Sequence, residues 1–74
     1  MKLPLLKGKE LAKILERMGF AQVRQEGSHV FMRHPDGRTT VVPVHGREEI
    51  DRGLLNKIIK RDLEISREEF MQHV

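Results

Sequence analysis

The tripeptide Pro35-Asp36-Gly37 constrains the fold more than any other segment, because it separates two runs that both favour β-strands. Proline and aspartate suit the two central positions of a type I turn, and the glycine supplies the positive φ that closes a bulged hairpin. Residues 28–34 precede the turn, and residues 38–44, which are rich in β-branched side chains, follow it. The sequence therefore predicts an antiparallel hairpin near its centre.

A helix and a further strand are predicted before this hairpin. Apolar side chains at helical spacing indicate a helix over residues 9–18, and its stripe is Leu11, Ile14, Leu15 and Met18. We expect Gly8 to be the N-cap of this helix and Gly19 to follow its last turn in the left-handed conformation. Residues 20–26 then predict the first strand.

Two start signals predict helices after the hairpin. Asp51 is a favourable N-cap for a helix over residues 52–62, and Ser66 with Glu69 has capping-box spacing for a short helix over residues 67–72. The order is α-β-β-β-α with a small terminal helix. We expect residues 1–74 to form one α+β domain, in which helices cover one face of a three-stranded antiparallel sheet. The other face is left to solvent or to a partner.

Composition excludes several kinds of site. The chain has no cysteine, which rules out disulfides and cysteine-ligated zinc, and its four histidines match no standard zinc spacing. We therefore expect no metal and no cofactor. No apolar run approaches the roughly 18 residues that span a bilayer, and the apolar run at the N-terminus is too short for a signal peptide. These features predict a cytoplasmic protein that does not enter a membrane.

Charge is distributed unevenly along the chain. Residues 1–47 hold nine Lys and Arg against four Asp and Glu, a net charge of +5, whereas residues 48–74 hold five against seven, a net charge of −2. The basic half would attract a polyanion such as RNA, although an ordinary solvated surface would have the same composition. The candidate RNA-contact residues are the cations Lys7, Lys9, Lys13, Arg24, Arg33 and Arg38.

Several short motifs, in order and at matching spacing, resemble the HicA toxins of bacterial toxin–antitoxin pairs over nearly the whole chain. They include Gly19-Phe20, Gly27-Ser28-His29, His34-Pro35-Asp36-Gly37-Arg38, Val42-Pro43-Val44-His45, and Ile65-Ser66 with Glu68-Glu69-Phe70. The resemblance implies a fold like that of double-stranded-RNA-binding domains. It also implies an endoribonuclease that cleaves mRNA without a metal or cofactor, and a HicB-type antitoxin that covers the active site.

The resemblance further implies that His29 is the single catalytic histidine. Many family members have a second histidine directly after it, but this chain has Val30 there, so a scheme using adjacent histidines does not apply. A metal-free ribonuclease needs a base for the 2′-hydroxyl, an acid for the leaving 5′-oxygen, and positive charge near the phosphate. Histidine suits both proton transfers because its ordinary pKa, about 6.5, is close to neutral.

Strand alternation places His29 on the same face as Phe31 and Arg33. If the hairpin turn sets the register, His29 lies opposite Pro43 and His45 comes into its neighbourhood. Ser28 and His45 are therefore candidates for catalytic support, while His34 is expected only to flank the turn and His73 to be inert. Gly27 would permit close backbone approach before His29, and Phe31 would stack a base if its face is open.

Two other functions remain open from the residues alone. A non-catalytic RNA-binding module has the same α-β-β-β-α order, although this chain is short and its last helices are net acidic. An interaction protein whose uncovered sheet face docks a partner would also have this pattern.

Overall fold

A computed structural model describes residues 2–74 and contains the elements in the predicted order. The helices are α1 (Gly8–Arg17), α2 (Arg52–Lys57), which continues as a π-helical segment (Ile58–Leu63), and α3 (Arg67–Met71). The strands are β1 (Ala21–Glu26), β2 (His29–Arg33) and β3 (Thr39–Pro43). The predicted α+β class, with a short extra helix at the C-terminus, is confirmed.

The three strands form an antiparallel sheet in the order β1-β2-β3. At the central hairpin, the His34 N–H donates to the Arg38 carbonyl at 2.8 Å, and Gly37 has the expected positive φ of 100°. The resulting register sets His29 opposite Pro43. This confirms the register predicted from the turn, and it leaves Pro43, which has no N–H to donate, at the end of an edge strand.

The hairpin between β1 and β2 has a loop of only two residues, because Glu26 pairs directly with His29. Gly27 is the first loop residue and has a φ of 57°, as in the turns that favour glycine at this position. A Cβ on Gly27 would have no other atom within 4 Å. The turn conformation therefore accounts for this glycine within the chain itself, and close approach of a ligand to its backbone stays a prediction.

The helices cover one face of the sheet. Val30, Met32 and Val42 point into this layer and are buried, together with the apolar stripes of the helices. The N-terminal residues Leu3 and Leu6 belong to the same core, which the sequence pattern did not predict. The segment is held by backbone pairing, since the Ile50 N–H donates to the Leu6 carbonyl at 2.7 Å. No helix within residues 2–74 has the length and apolarity to cross a bilayer.

Helix α1 begins one residue earlier than predicted. Lys7, not Gly8, is its N-cap, and the Lys7 N–H donates to the Glu10 carboxylate at 2.7 Å. Gly8 is buried as the first helical residue, and a Cβ there would collide with the Pro43 carbonyl oxygen. The glycine therefore allows α1 to approach the end of β3 closely. Gly19 follows the helix with a φ of 105°, as predicted.

The helix predicted over residues 52–62 changes form halfway. The Asp51 carboxylate caps it as expected, but from Ile58 onward the helix is π-helical and ends at Glu64, which has a φ of 58°. The wider turn aligns Ile58 with Leu63, five residues later, so that both are buried. Contacts to the sheet hold this geometry, since the buried Thr40 hydroxyl donates to the Asp62 carboxylate at 2.9 Å.

Candidate active site

The face of the sheet opposite the helices carries three cross-strand rows of side chains, because directly opposed residues of antiparallel strands share a face. We call this surface the open face. Its rows are Glu26, His29 and Pro43; Arg24, Phe31 and Val41; and Ala21, Arg33 and Thr39. The predicted alternation along β2 is thereby confirmed: His29, Phe31 and Arg33 lie on the open face, and Val30 and Met32 are buried beneath it.

Two histidine side chains meet at one end of the open face. The ring centroids of His29 and His45 are 6.1 Å apart, and the rings are nearly perpendicular, with an interplanar angle of 83°. Both residues are exposed. The expectation that His45 lies in the neighbourhood of His29 is therefore confirmed. Both imidazoles are therefore accessible to a molecule that binds at this end of the open face.

Backbone pairing places His45 beside His29. Beyond the last pair of the β2–β3 ladder, the Val44 N–H donates to the Ser28 carbonyl at 2.6 Å, which extends the pairing by one residue. The chain then turns, with the His45 carbonyl accepting from Glu48 N–H at 3.0 Å and Gly46 at a φ of 59°. The Ser28 carbonyl thus holds Val44, the residue directly before His45.

The middle row of the open face carries a cation over an aromatic ring. The Arg24 guanidinium lies 4.3 Å from the centroid of the Phe31 ring, within the range of a cation–π interaction. The Arg24 Nε also pairs with the Glu26 carboxylate at 3.1 Å, and both side chains are more than half exposed. We call Arg24 and Phe31 the arginine–phenylalanine stack.

A β-bulge shapes the strand that carries Arg24. The register between β1 and β2 shifts between Gln22 and Arg24, so that Val23 is the extra residue. Val23 is 59% exposed and borders, with Val41 at 38%, the arginine–phenylalanine stack. An open depression of about 810 Å³ extends over this face and past the edge of β3, where Leu54, Lys57, Ile58 and Asp62 line it.

The six predicted RNA-contact cations fall into separate groups. Arg24 and Arg33 share the open face with His29. Lys9 and Lys13 line a different groove, between α1 and the helix-covered side of the sheet, and Lys7 is exposed at the N-cap of α1. The structure therefore brings only two of the six to the face that carries the histidine pair, with Arg24 in the middle row and Arg33 in the row farthest from His29.

The sixth cation, Arg38, is built into the fold. Its guanidinium donates to the Asp36 carboxylate at 2.8 Å and to the Leu63 carbonyl at 2.6 Å, and it lies 5.3 Å from the Phe20 ring centroid. Because the side chain is mostly buried and has these three partners, the guanidinium stabilises the hairpin turn. Arg38 therefore does not belong to the open face, and we do not retain it as an RNA contact.

The other two histidines lie away from the pair. The His34 ring contacts the Phe20 ring edge-on at 5.1 Å, places Nε2 3.1 Å from the Met18 carbonyl, and accepts the Asp36 N–H at Nδ1. The Asp36 carboxylate also lies 3.0 Å from Nδ1, and these contacts with the turn confirm the turn-flanking role. His73 lies near the C-terminus, where its carbonyl accepts from Arg17 at 3.0 Å. Among residues 2–74, no three His, Asp or Glu side chains converge as a metal site would require.

A match to a known family covers this entire site. The sequence model described as the HicA toxin of bacterial toxin–antitoxin systems matches residues 8–63. The chain belongs to the HicA toxin family. The matched region runs from α1 to the end of the π-helical segment, and it includes the Gly-Ser-His turn, the His29–His45 pair and the arginine–phenylalanine stack. No curated protein sequence matches the chain significantly.

Membership of the HicA family makes this chain the toxin of a toxin–antitoxin pair, and it implies an antitoxin protein as partner. The short helix α3 lies outside the matched region, although its Phe70 is fully buried in the core. The open face with its histidine pair therefore lies on the part of the chain that defines the family.

Some features of the site were not predicted from the sequence. One of them is the position of Glu26 opposite His29, which results from the two-residue loop Gly27-Ser28. The predicted strands 20–26 and 28–34 are close enough in sequence to indicate such a short loop. The bulge at Val23 and the approach of Gly8 to β3 have no local signal, because both depend on which segments pack together in space.

Proposed function

We propose that this HicA toxin is a metal-independent endoribonuclease that cleaves mRNA in the cytoplasm, with His29 as its catalytic residue and His45 as the second proton-transfer group. The observation that carries the proposal is the His29–His45 pair, because two exposed imidazoles lie 6.1 Å apart at the end of an open, basic sheet face. The whole chain of 74 residues is proposed to act as one domain.

The pair supplies both proton transfers that RNA cleavage needs. One imidazole takes the proton of the 2′-hydroxyl, the 2′-oxygen attacks phosphorus, and the bond from phosphorus to the 5′-oxygen breaks. The other imidazole gives a proton to that leaving oxygen. The products are a 2′,3′-cyclic phosphate and a 5′-hydroxyl. The ring centroids are 6.1 Å apart, so the two imidazoles lie close enough together for both to reach oxygens of one phosphodiester bound beside them.

The surroundings of the pair favour a bound phosphate. Arg24 and Arg33 share the open face with His29, and a guanidinium binds phosphate oxygens in bidentate fashion. Glu26, opposite His29, is paired with Arg24, which offsets the repulsion that a free carboxylate would exert on RNA. The Ser28 hydroxyl, in the partly buried turn before His29, is proposed to hydrogen-bond the same phosphate or to orient the imidazole.

The open face also suits the antitoxin that the family implies. It combines exposed apolar side chains, Val23 and Val41, with arginines, and its position over the histidine pair means that a protein seated there blocks RNA. A HicB-type antitoxin is therefore proposed to inhibit the toxin by covering the site.

The proposal is tested by cleavage of a 5′-labelled single-stranded RNA in the presence of EDTA. We expect His29→Ala and His45→Ala each to slow cleavage about 100-fold or more, the usual contribution of a general acid or base. His73→Ala is the matched control, since His73 lies outside the open face, and it should cleave at the wild-type rate. A substrate with 2′-deoxy sugars should remain intact because it lacks the nucleophile.

Three outcomes contradict the proposal. Cleavage by a folded His29→Ala protein at the wild-type rate would remove His29 from the chemistry. Cleavage of the 2′-deoxy substrate would exclude the 2′-hydroxyl as nucleophile. A mobility shift of intact RNA, with no cleavage by the wild-type protein, would leave an RNA-binding module in place of an enzyme.

A further inference from the structure

The arginine–phenylalanine stack lies beside the histidine pair and is not used by the cleavage chemistry above. Phe31 is the residue of β2 between His29 and Arg33 on the open face, so each of these neighbours is about 7 Å away along the strand. The ring is partly exposed, and the Arg24 guanidinium lies over it at 4.3 Å. A planar cation held over an aromatic ring at the surface presents a flat, polarisable platform.

We propose that the arginine–phenylalanine stack binds one unpaired nucleobase of the RNA and thereby restricts cleavage to single-stranded segments. This inference rests on the proposed ribonuclease function and adds the substrate class to it. The base stacks on the platform, and the phosphates on its two sides lie toward His29 and toward Arg33. Successive phosphates of an extended single strand are about as far apart as alternate residues of a β-strand, so with the base centred on Phe31 each phosphate lies roughly midway toward the neighbour that it faces.

The chemistry of the face favours a nucleobase over other occupants of the stack. Stacking on aromatic rings and on arginine planes is the usual way in which proteins hold unpaired bases, and it tolerates any base because each has a π-face. The arginines beside the platform match the phosphates that accompany a base. The Arg24 Nε also contacts the Glu26 carboxylate at 3.1 Å, which adds a second contact to the one with the Phe31 ring and favours this position of the guanidinium before RNA arrives.

A duplex does not offer this contact. Bases in an A-form helix are stacked on each other and paired, and the deep, narrow major groove does not admit a protein side chain to their faces. Paired RNA would meet the open face only through its backbone. The stack therefore selects a strand whose base can leave its neighbours, and the cleaved phosphodiester is the one beside that base.

The absence of tryptophan and tyrosine in the chain allows a direct spectroscopic test. The substitution F31W introduces the only indole, at the platform itself, and base stacking quenches indole fluorescence. The measurement is made in the His29→Ala background, so that RNA stays intact and binding is read separately from cleavage. Each ligand is also followed by the anisotropy of a dye on the RNA end, which reports binding whether or not a base stacks.

We expect a single-stranded oligonucleotide to quench the indole strongly. The same strand in a duplex should leave its emission nearly unchanged. An abasic strand of equal length keeps the phosphates. It should bind at least about tenfold more weakly, as the loss of one stacked base predicts, and it should not quench the indole. Arg24→Lys retains the charge but not the plane, and it should weaken binding of the normal strand toward that of the abasic one.

Phe31→Leu provides the second variant, because it keeps an apolar side chain and needs no larger volume. It should lose the preference for the normal strand over the abasic strand. The proposal is overturned if the ratio of affinities for the normal and abasic strands is the same in Phe31→Leu as in the protein with Phe31. It is also overturned if anisotropy shows that the single strand binds the F31W protein and the indole is not quenched. Either result leaves cleavage by His29 untouched. Conversely, intact RNA after incubation with the wild-type protein overturns the ribonuclease proposal, and cleavage by a folded His29→Ala protein at the wild-type rate overturns the role of His29, while the stacking result stands in both cases.

Discussion

Replacing Gly8 with alanine tests whether the approach of α1 to β3 determines the stability of the fold around the site. The added Cβ would collide with the Pro43 carbonyl oxygen and would lie 2.9 Å from Val44 Cα and 2.8 Å from Val44 Cγ1. Ordinary van der Waals contacts of a Cβ begin at about 3.4 Å. Two of these three atoms are backbone atoms and the Pro43 oxygen is the nearest of them, so the helix or the end of β3 has to move by about an ångström or more in a close-packed interior.

The magnitude follows from two opposing effects. Overpacking of this kind costs about 1–3 kcal/mol. Alanine is favoured over glycine in a helix by up to about 1 kcal/mol, which offsets part of that cost. The expected net loss for Gly8→Ala is about 1–2 kcal/mol in the free energy of unfolding. In a domain of this size, it corresponds to a melting temperature about 5–15 °C lower.

The assay is thermal and urea unfolding followed by circular dichroism, with Gly53→Ala as matched control. Gly53 also lies in the first turn of a helix, but the close atom there is the Asp51 carboxylate oxygen at 2.8 Å, the end of a flexible side chain. Weakening of that cap and the gain in helix propensity are each about 1 kcal/mol and oppose each other, so little change is expected. If Gly8→Ala is as stable as Gly53→Ala, the argument from close packing is refuted.

Three further predictions concern the turn, the last helix and the core. The Arg38 N–H, and then the charge of its guanidinium, hold the pKa of Asp36 below its ordinary value of 3.8. A lowered folded-state pKa stabilises the fold above pH 3.8 and ceases to do so as the pH falls through the folded value. The small difference in urea midpoint between wild type and Asp36→Asn should therefore shrink on acidification below pH 4, and a constant difference would exclude the carboxylate as its cause. Ser66→Ala removes the hydroxyl that accepts the Glu69 N–H at 3.0 Å, so it should cost about 1 kcal/mol in urea unfolding, and no loss would mean that α3 needs no cap. Phe70→Ala empties a fully buried position and should cost about 3–5 kcal/mol, whereas a loss below 1 kcal/mol would show that α3 is not packed on the core.

Local signals predicted the elements of this fold well. The turn Pro35-Asp36-Gly37 specified both the hairpin and its register, because turn type and loop length determine which residues oppose each other. The caps Asp51 and Ser66 likewise acted through bonds to residues two or three positions later. These features need no knowledge of the rest of the chain, and the turn and both caps are confirmed, whereas the N-cap predicted at Gly8 lies at Lys7.

Features that depend on distant segments could not be predicted in this way. The π-helical turn after Lys57 is held by contacts such as that from Thr40 to Asp62, 22 residues apart. Helical periodicity alone gives no reason to add a residue there. Glycine is required at position 8 because α1 contacts Pro43, which is distant in sequence. Arg38 was predicted to contact RNA because charge alone does not indicate its bonds to the turn and to Leu63.

The candidate site was predicted in part. The neighbourhood of His29 and His45 followed from the hairpin register, and the shared face with Arg33 followed from strand alternation. The choice of His29 among four histidines came from the family motif, since a lone histidine on a strand carries little signal. Catalysis by His29 stays a prediction.

The most direct test of the histidine pair is a double-mutant cycle on the cleavage rate. Single-turnover rates on one RNA are measured in EDTA for wild type, His29→Ala, His45→Ala and the double variant, each shown by circular dichroism to be folded. Groups that act as a unit in one reaction are strongly non-additive. The account predicts that each single substitution costs about 100-fold or more, and that the double variant is hardly slower than the worse single one. A His45→Ala protein that cleaves at the wild-type rate, or losses that simply multiply, would contradict it.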